Sequence, residues 1–321
     1  MGVDLFFVIS GFVISLSAFS RFQPGHYAGF ARGFAQARLA RITPLYFLTG
    51  LVFIVFIQPD LVFVPDIWKQ VLSHAIFLHS WFLMHQGGIN GVNWSISIEM
   101  QFYVLIVILV PWLSRASKLL ILVGALAIAW SWRAAMFALI DQTGKWATFP
   151  LFVYSAELPG MLDEFAAGIL LARLIASDRG QRILRSTDVR KYAVPAAAVI
   201  SVIVTMQIYW NNTTYWNSAW MVIAFKSLLA LACVTVLATA CLIQNRSVLL
   251  ACKPFRYLGT ISYGIYLWHL PVILALKRVS WVNGPTALPW VIGITLLFAS
   301  LSWHFFEKPL MQRYAWRSEA S

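Results

Sequence analysis

The sequence predicts an all-α fold, a polytopic transmembrane helix bundle, on three observations. Of the 321 residues, 60% are hydrophobic and only 11% are charged, with a mean hydropathy of +0.75; in soluble domains about a quarter of residues are charged. Apolar runs long enough to carry a helix across a hydrocarbon core of about 30 Å recur along the chain. We read nine of them, at 2–18, 41–57, 95–112, 118–139, 157–176, 192–210, 220–243, 258–276 and 286–306. The third observation is the placement of the charge. With Gly2 outside, the inner segments hold most of the basic residues, around Arg21 to Arg41, Arg115 and Lys118, Arg179 to Lys191, Arg246 to Arg256, and Lys308 to Arg317. The outer segments hold only Lys69, Lys145, Lys277 and Arg278, and Arg133, Arg173 and Lys226 lie within spans. This asymmetry sets the orientation of a membrane bundle, with the C-terminus cytoplasmic. It also accounts for the net charge of +12 without nucleic acid as a partner. Linkers are short and no repeat appears, so a single domain over 1–321 is expected.

The first span, Gly2-Val3-Asp4-Leu5-Phe6-Phe7-Val8-Ile9-Ser10-Gly11-Phe12, places an acid at its outer end. Asp4 is either a helix cap or an acid facing an outer cavity. Ser10-Gly11 serves close helix packing or function, and the segment alone leaves both open. Only a methionine precedes it, with no charged region or cleavage site of a signal peptide. The topology therefore predicts a preceding helix that runs outward from a cytoplasmic N-terminus.

Arg32, Arg38 and Arg41 gather at the inner face just before the second span, beside Pro44 and Tyr46. Arg38 and Arg41 share one side of a helix by i,i+3 spacing. They anchor the topology or clamp phosphates, since guanidinium pairs bidentately with phosphate oxygens. The outer stretch 58–94 is the longest loop, and long loops in compact domains are commonly functional. Ser73 to Met84, with His74, His79 and Trp81, is expected to form an interfacial or re-entrant helix, and His79 and His85 read first as headgroup-level residues. No His, Cys or carboxylate spacing here resembles a metal site.

Asn93-Trp94-Ser95-Ile96-Ser97-Ile98-Glu99-Met100-Gln101-Phe102-Tyr103 is the most informative run, because Glu99 carries a carboxylate into an otherwise apolar helix. Such a group costs roughly 3 kcal/mol on insertion scales and is kept where it faces a bundle interior or a wet cavity. Ser95, Glu99 and Phe102 share a face, and Trp94 sits at headgroup level. Glu99 either holds a neighbouring helix or belongs to a polar acceptor or catalytic site.

Further on, Arg133 lies near the outer end of one span and Asp163-Glu164 a third of the way into the next. Two adjacent acids in a span point to an outer polar cavity, or Arg133 simply pairs with one of them. Asn211 to Thr214 contains sequons, which are frequent by chance. Cys233 and Cys241 share one span and Cys252 lies on an inner loop, so no disulfide framework is indicated. In Phe255 to Pro271, the residues Ser262, Tyr266 and His269 fall on one face, and Pro271 frees a backbone carbonyl that a neighbour must satisfy. The stripe either lines a pocket or bonds helix to helix. Glu307 closes the last span and is expected to pair with an inner arginine.

Taken in order, these segments resemble acyltransferase family 3, integral membrane proteins that include bacterial O-antigen and exopolysaccharide O-acetyltransferases. The resemblance rests on Gly2 to Phe7 with Ser10-Gly11; Arg38, Arg41, Ile42, Pro44 and Tyr46; Trp94-Ser95 with Glu99 and Phe102-Tyr103; Gly259, Ser262-Tyr263, Tyr266 and His269; and Glu307 with Pro309. It implies a ten-helix bundle in a bacterial cytoplasmic (inner) membrane. It also implies transfer of an acyl group, usually acetyl from acetyl-CoA as co-substrate with no bound cofactor, onto a hydroxyl of a carbohydrate or lipid-linked glycan. Family members begin with a helix bearing an Arg and, some ten residues on, a His regarded as catalytic; this chain starts after it, in agreement with the charge topology.

On this reading Arg32, Arg38 and Arg41 hold acyl-CoA at the inner face. Asp4, Ser10, Trp81, Trp94, Ser95, Asp163 and Tyr266 bind the acceptor at the outer side, and Glu99 and His269 are the catalytic candidates, the main catalytic His being expected on the upstream helix. Trp81 and Trp94 are suited to stack on a sugar ring. The competing classes are a transporter or flippase, which calls for two related halves with interrupted helices that the sequence does not display, and an inactive remnant of the acyltransferase.

Overall fold

A computed structural model describes residues 2–140, 148–186, 189–243, 252–279 and 284–313. Lys145, Arg246 and Arg317 of the charge pattern lie outside them. Among the described residues all regular structure is helical, and eight helical segments are long and apolar enough to cross a membrane. Each overlaps one of the nine predicted runs. The ninth, at 157–176, forms a helix of 19 residues, Leu158–Ala176, which carries Asp163, Glu164 and Arg173. The chain is a multi-pass integral membrane protein.

Contacts gather the chain into two compact units, and the chain passes from one to the other at Pro24–Gly25, within the helix Asn93–Leu113 after Met100, and between the helices that end at Ile243 and begin at Lys253. The first unit comprises α1 (Gly2–Arg21), the second half of α4 (Asn93–Leu113), α5 (Lys118–Leu139), α6 (Thr148–Ser155), α7 (Leu158–Ala176), α8 (Asp178–Arg185), α9 (Val194–Asn211) and α10 (Lys226–Ile243). The second comprises α2 (Tyr27–Val52), α3 (Ile67–Ala75), the first half of α4, α11 (Lys253–Leu276), α12 (Ala287–Ser302) and α13 (Lys308–Arg313).

In the first unit α1 and α7 meet backbone to backbone. A Cβ on Gly11 would lie 2.2 Å from the Phe165 carbonyl oxygen, and one on Gly168 would lie 2.1 Å from that of Val8. The glycines therefore let the two helices close, and Gly11 serves packing here. Phe165 is wedged between Phe7 and Phe102, its ring stacked on that of Phe102 at 4.0 Å. Val8, Met221, Phe225, Leu229, Ala230 and Cys233 continue the core toward α10.

In the second unit α2 and α11 run parallel in a fixed register. Tyr263 donates its hydroxyl to the Ile42 carbonyl at 2.9 Å, and Arg278, just past α11, donates to the carbonyls of Phe56 and Ile57. The Ile42 and Ile57 contacts both join residues 221 apart in sequence. Gly264 brings α11 onto Ala299 of α12, and Trp268 donates to Ser302 at 3.3 Å.

Two boundaries differ from the sequence reading. The helix that carries the apolar run 41–57, which the Arg38–Arg41 spacing already extends upstream, starts at Tyr27, because the alanine-rich stretch Ala28 to Ala40 propagates the helix well before the apolar run begins. The predicted helix Ser73 to Met84 is instead α3, ending at Ala75, followed by a 3₁₀ turn His79–Trp81. Phe77 between them has φ 57°, a left-handed conformation that no α-helix continues through.

Candidate active site

Four of the sequence-selected residues converge in the second unit. Pro271 has no N–H, so the Leu267 carbonyl one turn earlier is released from the helix ladder. Asn90 of the outer segment donates its amide to that carbonyl at 3.0 Å, the external partner that Pro271 requires. This clamps the outer segment to α11 and brings the start of α4 beside Tyr266. Ser95 and Tyr266 are hydrogen-bonded hydroxyl to hydroxyl at 2.7 Å, and Tyr266 donates to the Val92 carbonyl at 3.0 Å.

His269 sits one turn on, its Nδ1 at 2.5 Å from the Tyr266 carbonyl. A carbonyl only accepts, so Nδ1 carries a proton and Nε2 is the ring nitrogen left to exchange one with a substrate. Glu99, 5% exposed, lies one turn below Ser95 on the same face of α4 and acts electrostatically on the Tyr266 hydroxyl. Trp94 is half-buried and Trp81 exposed. Ser262 departs from the expected stripe: it is exposed and bonds its own helix at the Gly259 carbonyl, 2.9 Å away.

The three arginines lie along α2. Arg32 is exposed and Arg38 and Arg41 are half-buried, with the Arg38 guanidinium 5.5 Å from the centre of the Phe34 ring. The Arg41 charge acts on Glu307, whose carboxylate also accepts from Ser302 at 3.4 Å. Glu307 thus lies in the field of an inner arginine, while the hydrogen bond it accepts comes from Ser302.

Asp4, Ser10 and Asp163 belong to the first unit, where the acids are engaged by cations. Lys226 contacts Asp4 at 2.9 Å and Glu164 at 3.5 Å. Arg133, fully buried, holds Asp163 at 2.5 Å, and Ser227 donates to the same carboxylate oxygen at 2.5 Å. The pairing of Arg133 with an acid of α7 was one of the two sequence readings. The role of Lys226 was missed: it was seen as a charge within a span and given no partner, although an intramembrane cation calls for an acid of its own.

Also missed was a polar cluster in the outer segment. His74 and His79 stack face to face at 3.8 Å; the Tyr46 hydroxyl contacts the His74 carbonyl at 3.3 Å and His79 Nδ1 at 3.4 Å. Burial pushes His74 down to about 4 and His79 still further below the ordinary histidine value, the neighbouring imidazoles adding to it. Both rings are neutral at ordinary pH. The unfolded chain takes up these protons first, below its value of 6.5, so the stability is complete above 6.5 and lost as pH falls toward 4. Through His74 alone, pH 5 costs this segment about 2 kcal/mol relative to pH 7. Amide exchange across residues 70–93, corrected for intrinsic rate, is therefore expected to quicken by roughly thirtyfold at pH 5. Unaltered protection would mean that the rings bind protons equally in the folded and the open segment.

A family model described as an acyltransferase domain, that of acyltransferase family 3, matches residues 1–305. The peptidoglycan O-acetyltransferase OatA of Listeria monocytogenes is 24% identical over 97% of this chain and 51% of its own length. The O-acetyltransferase OatA of Staphylococcus aureus is 24% identical over 98% of this chain and 53% of its own. The chain thus spans about half the length of the curated relatives it matches. No solved structure matches it.

Proposed function

The chain belongs to acyltransferase family 3, and on that premise we propose that it is a membrane O-acyltransferase moving an acetyl group from acetyl-CoA to a hydroxyl of a carbohydrate. The names of its relatives point to a cell-wall glycan as acceptor, and we read residues 1–321 as one acyltransferase domain of a bacterial cytoplasmic membrane, C-terminus inside.

The observation that carries this reading is the register of α2 against α11. With partners 221 residues apart, Arg38 falls level with Gly259. His269 then stands roughly 15 Å further along the axis, at about 1.5 Å rise per residue. Arg38 and Arg41 grip the phosphates of the nucleotide at the inner end, and an extended pantetheine arm matches the distance to His269. There the acceptor hydroxyl gives its proton to Nε2 as its oxygen attacks the thioester carbonyl. The C–S bond breaks, and the departing thiolate takes the proton from the imidazolium. Ser95, Tyr266 and the outer tryptophans orient the acceptor, and Glu99 balances the transient positive charge.

The test is thioester turnover by the purified full chain with acetyl-CoA and a saccharide acceptor, expected as acceptor-dependent release of free thiol. Arg38→Ala should weaken acetyl-CoA binding about tenfold or more and leave saccharide binding as it was. Equal CoA affinity in the variant removes Arg38 from the donor site. Folded wild-type protein without turnover would leave the inactive-remnant reading.

A further inference from the structure

The outer segment between α2 and α4 contains more buried hydrogen-bonding capacity than it uses. Gln70, Gln86, Asn90 and Asn93 are each 6% exposed or less. Gln70 Nε2, both amide atoms of Gln86, and the Oδ1 atoms of Asn90 and Asn93 have no hydrogen-bond partner. The two asparagine orientations are not arbitrary: each Nδ2 donates to a backbone carbonyl, that of Leu267 at 3.0 Å and that of Ile89 at 3.3 Å, so each Oδ1 is the atom left over. Buried amide atoms without partners are strongly disfavoured, and several in one segment rival the net stability of a domain. Something must meet them.

The stretches that carry these side chains adjoin one another. The Gln70 amide lies against Gly88, where a Cβ would come within 1.4 Å of Nε2. The backbone of Ile89 reaches His74 and that of Asn93 reaches His79, and His74 Nδ1 bonds the Gln70 carbonyl at 2.9 Å. The non-glycine residues with positive φ among the described residues are Asp66, Phe77 and Asn90, all in this same segment, and such strain persists where the surroundings over-determine it. Phe77 is held by Ser97, whose hydroxyl donates to its carbonyl at 2.6 Å.

The chemistry of the cluster selects its ligand. The unpaired atoms are a mixture of donors and acceptors on neutral amides, beside two uncharged imidazoles, which suits neither an anion nor a cation. Hydroxyl groups, each donating once and accepting, fit such a set. Exposed Trp81, between His79 and Gln86 in the chain, supplies an aromatic face of the kind that stacks on a sugar ring. We propose that Gln70, Gln86, Asn90 and Asn93 form a binding site for the hydroxyls of a neutral saccharide. This rests on the acyltransferase reading only in identifying that saccharide as the acceptor.

Gln86→Leu is the discriminating variant, because it removes both unpaired amide atoms, nearly keeps the volume, and breaks no side-chain hydrogen bond. Binding of N,N′-diacetylchitobiose to the full chain without acetyl-CoA is followed by calorimetry, alongside thermal denaturation. The expected result is a Kd raised tenfold or more with an unchanged or higher denaturation midpoint, and Asn93→Ala repeats the loss of binding. Wild-type affinity in folded Gln86→Leu means that the amides hold internal water only and overturns the proposal, as does wild-type protein that binds no saccharide. Wild-type protein that binds saccharide but transfers no acetyl group leaves the site standing and removes the enzymatic reading instead.

Discussion

Replacing Arg133 with methionine is expected to destabilise the folded chain by about 3–5 kcal/mol, lowering the denaturation midpoint in detergent by roughly 10 °C. Arg133 is fully buried, and its guanidinium is the cation facing Asp163 at 2.5 Å. Without it, Asp163 keeps Ser227 but shares the α7 interior with Glu164, and Lys226 is already engaged with Asp4 and Glu164. An unpaired carboxylate in a lipid-embedded bundle is far more costly than the absence of the pair. The double variant Arg133→Met/Asp163→Leu, which removes both charges, should therefore recover most of the loss. A single variant as stable as wild type, or a double variant less stable than the single, would show that the pair does not carry this part of the first unit.

On the proposed reaction, His269→Ala should lower the rate of acetyl transfer by about 10²–10⁴-fold while leaving acetyl-CoA affinity unchanged. The expectation follows from the tautomer. The Tyr266 carbonyl takes the Nδ1 proton, which leaves Nε2 as the basic nitrogen, beside a serine–tyrosine hydroxyl pair and above a buried carboxylate. Tyr266→Phe removes the bonds to Ser95 and to the Val92 carbonyl and keeps the imidazole, so a smaller loss, on the order of tenfold, is expected. Single-turnover transfer from labelled acetyl-CoA separates the two. If His269→Ala retains transfer within tenfold of wild type, the proton is taken by another group and His269 serves packing.

Much of the fold was legible because lipid imposes a strict rule on sequence. A helix that crosses hydrocarbon must be apolar along its length, so eight of nine runs reappear among the described residues as membrane-length helices. The same rule made Glu99 visible, and the missing N–H of Pro271 announced a vacant carbonyl before its partner was known. Local exceptions escaped for equally physical reasons. The break at Phe77 is a left-handed residue where neither glycine nor asparagine marks it, and the early start of α2 lies in an alanine-rich stretch too polar to be counted as a span.

Composition and apolar period by themselves determined the class of fold and the residues whose ionisation is expensive enough to need a reason, and the ordered motifs pointed to the family. Partnership was decided only in three dimensions. Asp4 belongs with Lys226 and Asp163 with Arg133, Ser95 with Tyr266, and Asn90 with Leu267, pairs separated by 222, 30, 171 and 177 residues. The burial of an ionisable or amide group can be read from its neighbours in the chain, but its neutralisation depends on a group brought from another helix. That choice is made by close approaches such as Gly11 on Phe165 and Gly264 on Ala299, whose geometry no local pattern encodes.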